Sequence, residues 1–370
     1  MCAATLSLFL ASNAATLWLA PADARLRYSG RHTLNASARF DWVGTGFTVE
    51  VARNGSVAPN ATLVIDMAAP EHTRFEIYKN GGAVRSFYAT TSSRTAYAVD
   101  LVATDVSVTL LKTTEPAGLT EDFVELFRVG LPSGFAAVQH AARARPWFDV
   151  YGDSDTAAYG IEASPKNDLG CVLTSYKFQN FARGWLHVAV EALRQTPAGT
   201  ELADPSVQAI SGIGVTRNAG PSGPPLPALV RRSLQTVGTP DFPPPSKSRP
   251  TLVIIYLGSN DYVFPFPPSD AMFTSAYKAM VAAILSFYGE PHPPVLHICA
   301  SRPALQGVPC RLVEGIAKNA TGAMYSSTGD AGVPKGGCID HRNTTQQAAL
   351  GSRLAPVIAR AAGWDAAVES

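Results

Sequence analysis

Near residue 146 the chain changes its periodicity, and that change constrains the fold more than any other feature. Before it, β-branched and aromatic segments at 39–42, 47–53, 62–67, 74–79, 84–90, 97–102, 106–112 and 123–129 follow one another with no convincing helix between them. Asn80-Gly81-Gly82 separates the fourth and fifth of these, a strong hairpin signal because the tight turn needs positive φ. The run predicts a β-sandwich of jelly-roll type over 25–138. After it, apolar strands at 147–151, 207–210, 252–257, 295–299 and 323–326 alternate with helical periods at 172–194, 271–287, 311–320 and 344–362. Such alternation predicts a parallel sheet covered on both faces, over 139–370. The Pro-rich stretch 217–250 reads as a surface excursion of that second domain.

Charge says little about the fold but narrows the partners. Lys and Arg number 30 against 29 Asp and Glu, a net charge of +1, and charged residues are only 16% of the 370. A nucleic-acid binder would carry basic stripes, and a disordered chain would not be 46% hydrophobic. No apolar run of about 18 residues follows the first 20, which argues against a membrane-spanning body. An uncharged partner fits this balance.

Residues 1–24 hold two short apolar stretches and no Lys or Arg, and read as a signal peptide without its basic start or as a disordered tail. Asn35, Asn54, Asn60, Asn319 and Asn343 carry the Asn-x-Ser/Thr glycosylation pattern, five of eleven asparagines, which favours a secreted glycoprotein. Cysteines stand at 2, 171, 299, 310 and 338. Loss of Cys2 with a leader leaves four, which permit three pairings. No spacing suggests a structural zinc site.

The first three expected strands of the second domain each end in a short polar motif, where open parallel sheets gather ligands, and a fourth motif follows later. They are Gly152-Asp153-Ser154-Asp155, Ser211-Gly212-Ile213-Gly214, Gly258-Ser259-Asn260-Asp261 and, before the last helix, Gly337-Cys338-Ile339-Asp340-His341. Acyl transfer needs these parts together: a serine nucleophile on a tight turn, donors for an oxyanion, and a histidine to move the proton. Taken singly, Ser154 could be a helix cap, Asn260 an Asx turn and His341 a helix-start residue. Four motifs in order, three of them at strand ends, favour the chemical reading. The other histidines have no companion pattern. Tyr159, Tyr262, Phe264 and Phe266 beside the motifs could stack on sugar rings or simply pack.

The order GDS, SGIG, GSND and a late His resembles the SGNH/GDSL hydrolase superfamily. YGDSDTAAYGIEA, AISGIGVTRN, LGSND and GGCIDHRN resemble carbohydrate esterase family two more narrowly, and YSGRHTL, RFDWVGTGFTVEV and SVTLLKTTEPA resemble its N-terminal jelly roll. The resemblance spans roughly 26–365. It implies a three-layer α/β/α hydrolase domain behind a sandwich, and a secreted serine esterase that removes O-acetyl groups from polysaccharides, as acetylxylan esterases do. It further implies Ser154 as nucleophile, His341 as base, and Ser154, Asn260 and a glycine as oxyanion donors, with Gly214 preferred over Gly212. No metal or organic cofactor is implied.

Three departures qualify this. The superfamily places Asp three residues before the His, where this chain has Cys338. Family two includes Ser–His dyads oriented by a backbone carbonyl, so a dyad is expected, with Asp340 a possible helper. Asp155 occupies a usually aliphatic position and, if buried, needs a partner. Ala158 replaces a glycine. A catalytically weakened carbohydrate-binding protein, or an acyl hydrolase for other esters, are the alternatives.

Overall fold

The computed structural model describes residues 17–56, 61–116, 122–139, 145–163, 170–171, 174–220, 223–235, 242, 249–263, 265–299, 307–328 and 336–364. The first half contributes β1 (Leu17–Leu19), β2 (Leu26–Ser29), β3 (Thr33–Leu34), β4 (Ala38–Phe40), β5 (Gly46–Arg53), β6 (Thr62–Ala68), β7 (Arg74–Lys79), β8 (Gly82–Tyr88), β9 (Thr95–Asp100), β10 (Ser107–Lys112), β11 (Val124–Leu131) and β12 (Phe135–Ala137). These form two antiparallel sheets. One runs β3-β4-β11-β6-β9 with β1 also on β11; the other runs β12-β5-β10-β7-β8 with β2 also on β5. Alternate residues such as Leu63, Ile65 and Met67 of β6 point inward to meet Phe47, Val49, Val108 and Leu110 of the other sheet. The β7–β8 turn places Asn80 and Gly81 at φ 51 and 80, as the Asn-Gly signal requires.

The sandwich takes in residues before 25. β1 adds to β11 with Leu19 fully buried, so residues 17–24 belong to the sandwich and not to the leader or tail expected over 1–24. Its Leu-Trp-Leu looks like part of an apolar signal core because three residues are too few to show alternation. Residues 1–16, with Cys2, lie outside the described residues.

The second half supplies β13 (Phe148–Gly152), β14 (Ser206–Ala209), β15 (Leu252–Leu257), β16 (Val295–Cys299) and β17 (Ala323–Ser326), all parallel in the order β14-β13-β15-β16-β17. Its helices are α1 (Ser154–Ala157), α2 (Trp185–Arg194), α3 (Asp270–Tyr288), α4 (Val308–Lys318) and α5 (Thr344–Ala361). Val150, Ile254, Tyr256 and Ile298 face α2 and α5, while Tyr151, Val253, Ile255 and Leu257 face α3 and α4. The architecture is therefore three layers, α/β/α. α3 is long and apolar enough to cross a membrane, yet Phe273, Tyr277, Met280 and Ile284 are buried against the sheet.

The helix expected over 172–194 is shorter than its periodicity. Among the described residues of that span only Trp185–Arg194 is α-helical, preceded by 3₁₀ turns at Ser175–Phe178 and Phe181–Arg183. Asn180 breaks it: its backbone is extended and its side chain accepts from the Ala182 amide at 3.1 Å, a local bond that competes with helix.

The two domains share buried parts. Trp42 of the sandwich is fully buried and donates to the Ser233 carbonyl at 3.1 Å. Arg31, 1% exposed, donates to the Val230 carbonyl at 2.6 Å and the Tyr151 hydroxyl at 2.7 Å, and lies 3.6 Å from Asp149. Tyr151 and Tyr288 both donate to that carboxylate. Arg31→Leu strands the buried Asp149 charge and should lower the unfolding free energy by about 3–5 kcal/mol in a denaturant titration.

His297, mid-strand in β16, has its imidazole held down to about pKa 4 by burial. Its Nδ1 pairs with the Tyr277 hydroxyl at 3.0 Å. The unfolded chain takes up this proton near pH 6.5 and the folded chain only near 4. Stability from this group is thus complete above 6.5 and lost as pH falls to about 4, on the order of 3 kcal/mol. His297→Gln should flatten that part of a stability-versus-pH curve.

Candidate active site

β13 delivers the nucleophile. It is wholly buried and stops at Asp153, whose extended backbone (φ −111) and side chain cap α1 by accepting the Asp155 amide at 3.1 Å. The other carboxylate oxygen of Asp153 accepts from Ser259 Oγ at 2.9 Å and Asn260 Nδ2 at 3.3 Å. One capping residue therefore joins the turn after β13 to the turn after β15. Ser154 is the first residue of α1 and 4% exposed.

His341 meets it from the other end of the domain. Ser154 Oγ and His341 Nε2 are 2.7 Å apart, and His341 Nδ1 is 2.7 Å from the Cys338 carbonyl. A carbonyl only accepts, so Nδ1 carries the proton and Nε2 presents its lone pair to the serine. Ile339 and Asp340 take left-handed φ values of 42 and 57, conformations that cost a non-glycine residue about 1 kcal/mol or more each. This turn leaves the side chain of Asp340, the possible helper, exposed, while His341 Nδ1 faces the Cys338 carbonyl as expected of a dyad.

The turn is pinned on several sides. Cys338 is disulfide-bonded to Cys171, and its amide donates to the Gly160 carbonyl at 3.1 Å. Gly160 is at φ 65, and a Cβ there would lie 2.3 Å from Cys338 Cβ, so only glycine permits this approach. The Tyr159 ring packs 5.0 Å from the imidazole, with its hydroxyl on the Cys171 carbonyl at 3.1 Å. The second disulfide, Cys299–Cys310, joins β16 to α4.

On the oxyanion side the two candidate glycine amides differ. The Gly214 amide, preferred from sequence, donates to Asn218 Oδ1 at 3.1 Å. Among the described residues no acceptor takes the Gly212 amide, which leaves it the freer of the two candidate donors. Asn260 Nδ2 donates to the Ile213 carbonyl at 2.8 Å, which sets the amide beside the same loop.

Three further residues position these groups, and sequence reading missed two of them. Asp261, fully buried, accepts the Val215 amide at 2.9 Å and the Thr216 amide at 2.6 Å, fixing the loop after Gly214. Glu115 comes from the sandwich and accepts from both the amide and the hydroxyl of Ser211, the latter at 2.6 Å, with Gln179 donating at 2.9 Å. Burial pushes its carboxyl up against those bonds. Nothing in the local sequence marks either contact, since both cross long separations. Asp155, flagged as needing a partner, has one: Arg342 Nη1 at 2.8 Å. Of the loop aromatics, Tyr262 is partly buried, Phe266 is 89% exposed, and Phe264 lies outside the described residues.

No family model matches the chain, and no curated protein does. Solved structures do. A family two carbohydrate esterase from Cellvibrio japonicus is 17% identical with a TM-score of 0.75, over 94% of this chain and 98% of that one. A family two carbohydrate esterase from Clostridium thermocellum in complex with cellohexaose is 19% identical, with a TM-score of 0.73 over 92% and 99%. An acetyl xylan esterase from the rumen bacterium Butyrivibrio proteoclasticus is 13% identical, with a TM-score of 0.72 over 94% and 99%. This chain shares the fold of these carbohydrate esterases over more than nine-tenths of its length.

Asp261→Ala should leave buried amides at 215 and 216 without an acceptor. A loss of about 3 kcal/mol or more is expected in thermal or chemical unfolding, at the usual cost of about 1–3 kcal/mol per orphaned group.

Proposed function

We propose that the protein is a carboxylic ester hydrolase that removes O-acetyl groups from polysaccharides or oligosaccharides through a Ser–His acyl-enzyme. The observation that carries this is the 2.7 Å contact from Ser154 Oγ to His341 Nε2, with Nδ1 on a main-chain carbonyl. The shared fold supports the substrate class, because the similar structures include an acetyl xylan esterase and an esterase holding cellohexaose.

In this reading Nε2 accepts the Ser154 proton as Oγ bonds to the acetyl carbonyl carbon. The carbonyl oxygen gains the negative charge, facing the amides of Ser154 and Gly212 and the side chain of Asn260. The 3.3 Å contact from Asn260 to Asp153 is the weaker of its two and the one an oxyanion displaces. The imidazolium then protonates the departing sugar oxygen. Water, deprotonated by the same nitrogen, attacks the acetyl-serine and releases acetate. The Cys338 carbonyl holds the tautomer that each step needs. Secretion belongs to the proposal, supported by two disulfides and by glycosylation patterns on the exposed Asn35, Asn54 and Asn319.

Wild type and Ser154→Ala, assayed on 4-nitrophenyl acetate, a longer acyl ester and acetylated xylan or glucomannan, decide the matter. Wild-type hydrolysis with loss of about 10⁴-fold or more in the variant is expected. An inactive wild type, or equal rates in both, would leave a carbohydrate-binding protein as the better reading. Asn260→Ala should lower kcat by about 10²–10³-fold, the usual effect of removing one oxyanion donor.

A further inference from the structure

We infer that the buried Asp155–Arg342 ion pair is the positioning device of the Ser154–His341 dyad. The inference rests on the hydrolase reading above and concerns what holds its two groups together. Asp155 directly follows Ser154, and Arg342 directly follows His341. Their side chains are 14% and 6% exposed and meet at 2.8 Å, so the pair bridges the two segments one residue beyond the reacting atoms. The same Arg342 nitrogen donates to the Tyr256 hydroxyl at 3.2 Å. Tyr256 belongs to β15, the central strand, so the base segment is tied at once to the nucleophile helix and to the sheet.

The other ties of the base segment lie further from His341 along the chain. Upstream they are the Cys171–Cys338 disulfide and the Cys338 amide on the Gly160 carbonyl, with Ile339 and Asp340, both exposed and both left-handed, in between. The Cys338 carbonyl sets how the ring rotates but belongs to the same turn as the ring. Downstream, Gln347 donates to the Asp155 carbonyl at 3.2 Å and the Thr344 amide donates to the Ile161 carbonyl at 2.9 Å. Those bonds dock α5 from three to six residues away. Arg342 is the nearest of these anchors to His341 on this side.

Energetics separates this role from plain stability. A dry ion pair gains little over a well-packed apolar pair of the same volume, because desolvation offsets the attraction. What the pair supplies is a single arrangement of two segments. Small displacements of reacting groups cost up to about 10²-fold in rate, so a clamp next to both atoms acts on kcat.

Four variants test the inference: Asp155→Leu, Arg342→Met, Arg342→Lys, and Asp155→Leu with Arg342→Met. Each is measured for kcat and KM on 4-nitrophenyl acetate, for Tm, and for the rate at which Ser154 Oγ displaces fluoride from diisopropyl fluorophosphate. The single apolar variants should lose about 10- to 100-fold in kcat and in labelling rate, with KM within about twofold. Arg342→Lys should recover most of the loss. The double variant should regain wild-type Tm while kcat stays low. Wild-type kcat in the double variant, or losses that only track Tm with no rescue by Lys, overturns the inference. If wild type labels at Ser154 and the variants label as fast, the clamp alone fails. If wild type neither labels nor hydrolyses any ester, the hydrolase reading fails and the clamp with it.

Discussion

Parallel strands must release the chain on the same edge of the sheet, and that constraint organises everything else here. Hydrogen bonding between β13, β14 and β15 aligns Gly152 with Ala209 on one side and Tyr256 on the other, so three motifs leave the sheet side by side. The strand order reverses around β13, which opens a crevice there between outgoing turns. Ser154 and His341 are 187 residues apart in sequence and 2.7 Å apart in space because both lie at that edge. Asp153 then turns neighbourhood into geometry by joining its own turn to Ser259 and Asn260.

The sandwich is part of this arrangement. Glu115 reaches across to hold Ser211, the residue before the candidate Gly212 donor. Arg31 and Trp42 sit inside the second domain's core. Lys112, fully buried beside Glu115 and Asp41, is pulled down to about pKa 8 by burial against their charges. A candidate oxyanion loop anchored on another domain's carboxylate ties the site's shape to the docking of the domains.

Much of this was legible in the residues, for identifiable reasons. The strands at 252–257, 295–299 and 323–326 are apolar runs cut off sharply by Gly, Pro or polar turns, so their bounds could be read directly. The motif residues stood out because polar groups directly after buried strands have few structural uses. Illegible features were those decided by distant partners or by backbone angles. Leu17–Leu19 became a strand only because β11 offered an edge. Asn218 occupies the Gly214 amide, which no spacing rule reveals. Glu115 and Asp261 act across long loops. The partner of Asp155 could be demanded from its burial, but its identity had to come from the fold.

The Cys338 carbonyl carries a consequence for how the site can vary. A side-chain acceptor is encoded by one codon and vanishes with one substitution; a main-chain oxygen is present whatever residue occupies the position. With the orientation performed by the backbone, the side chain of residue 338 is free for another end, here a covalent tie to Cys171. The inheritance of the dyad then lies in the path of the chain through Gly160 and the left-handed turn. The candidate site is in this respect a property of backbone shape more than of composition.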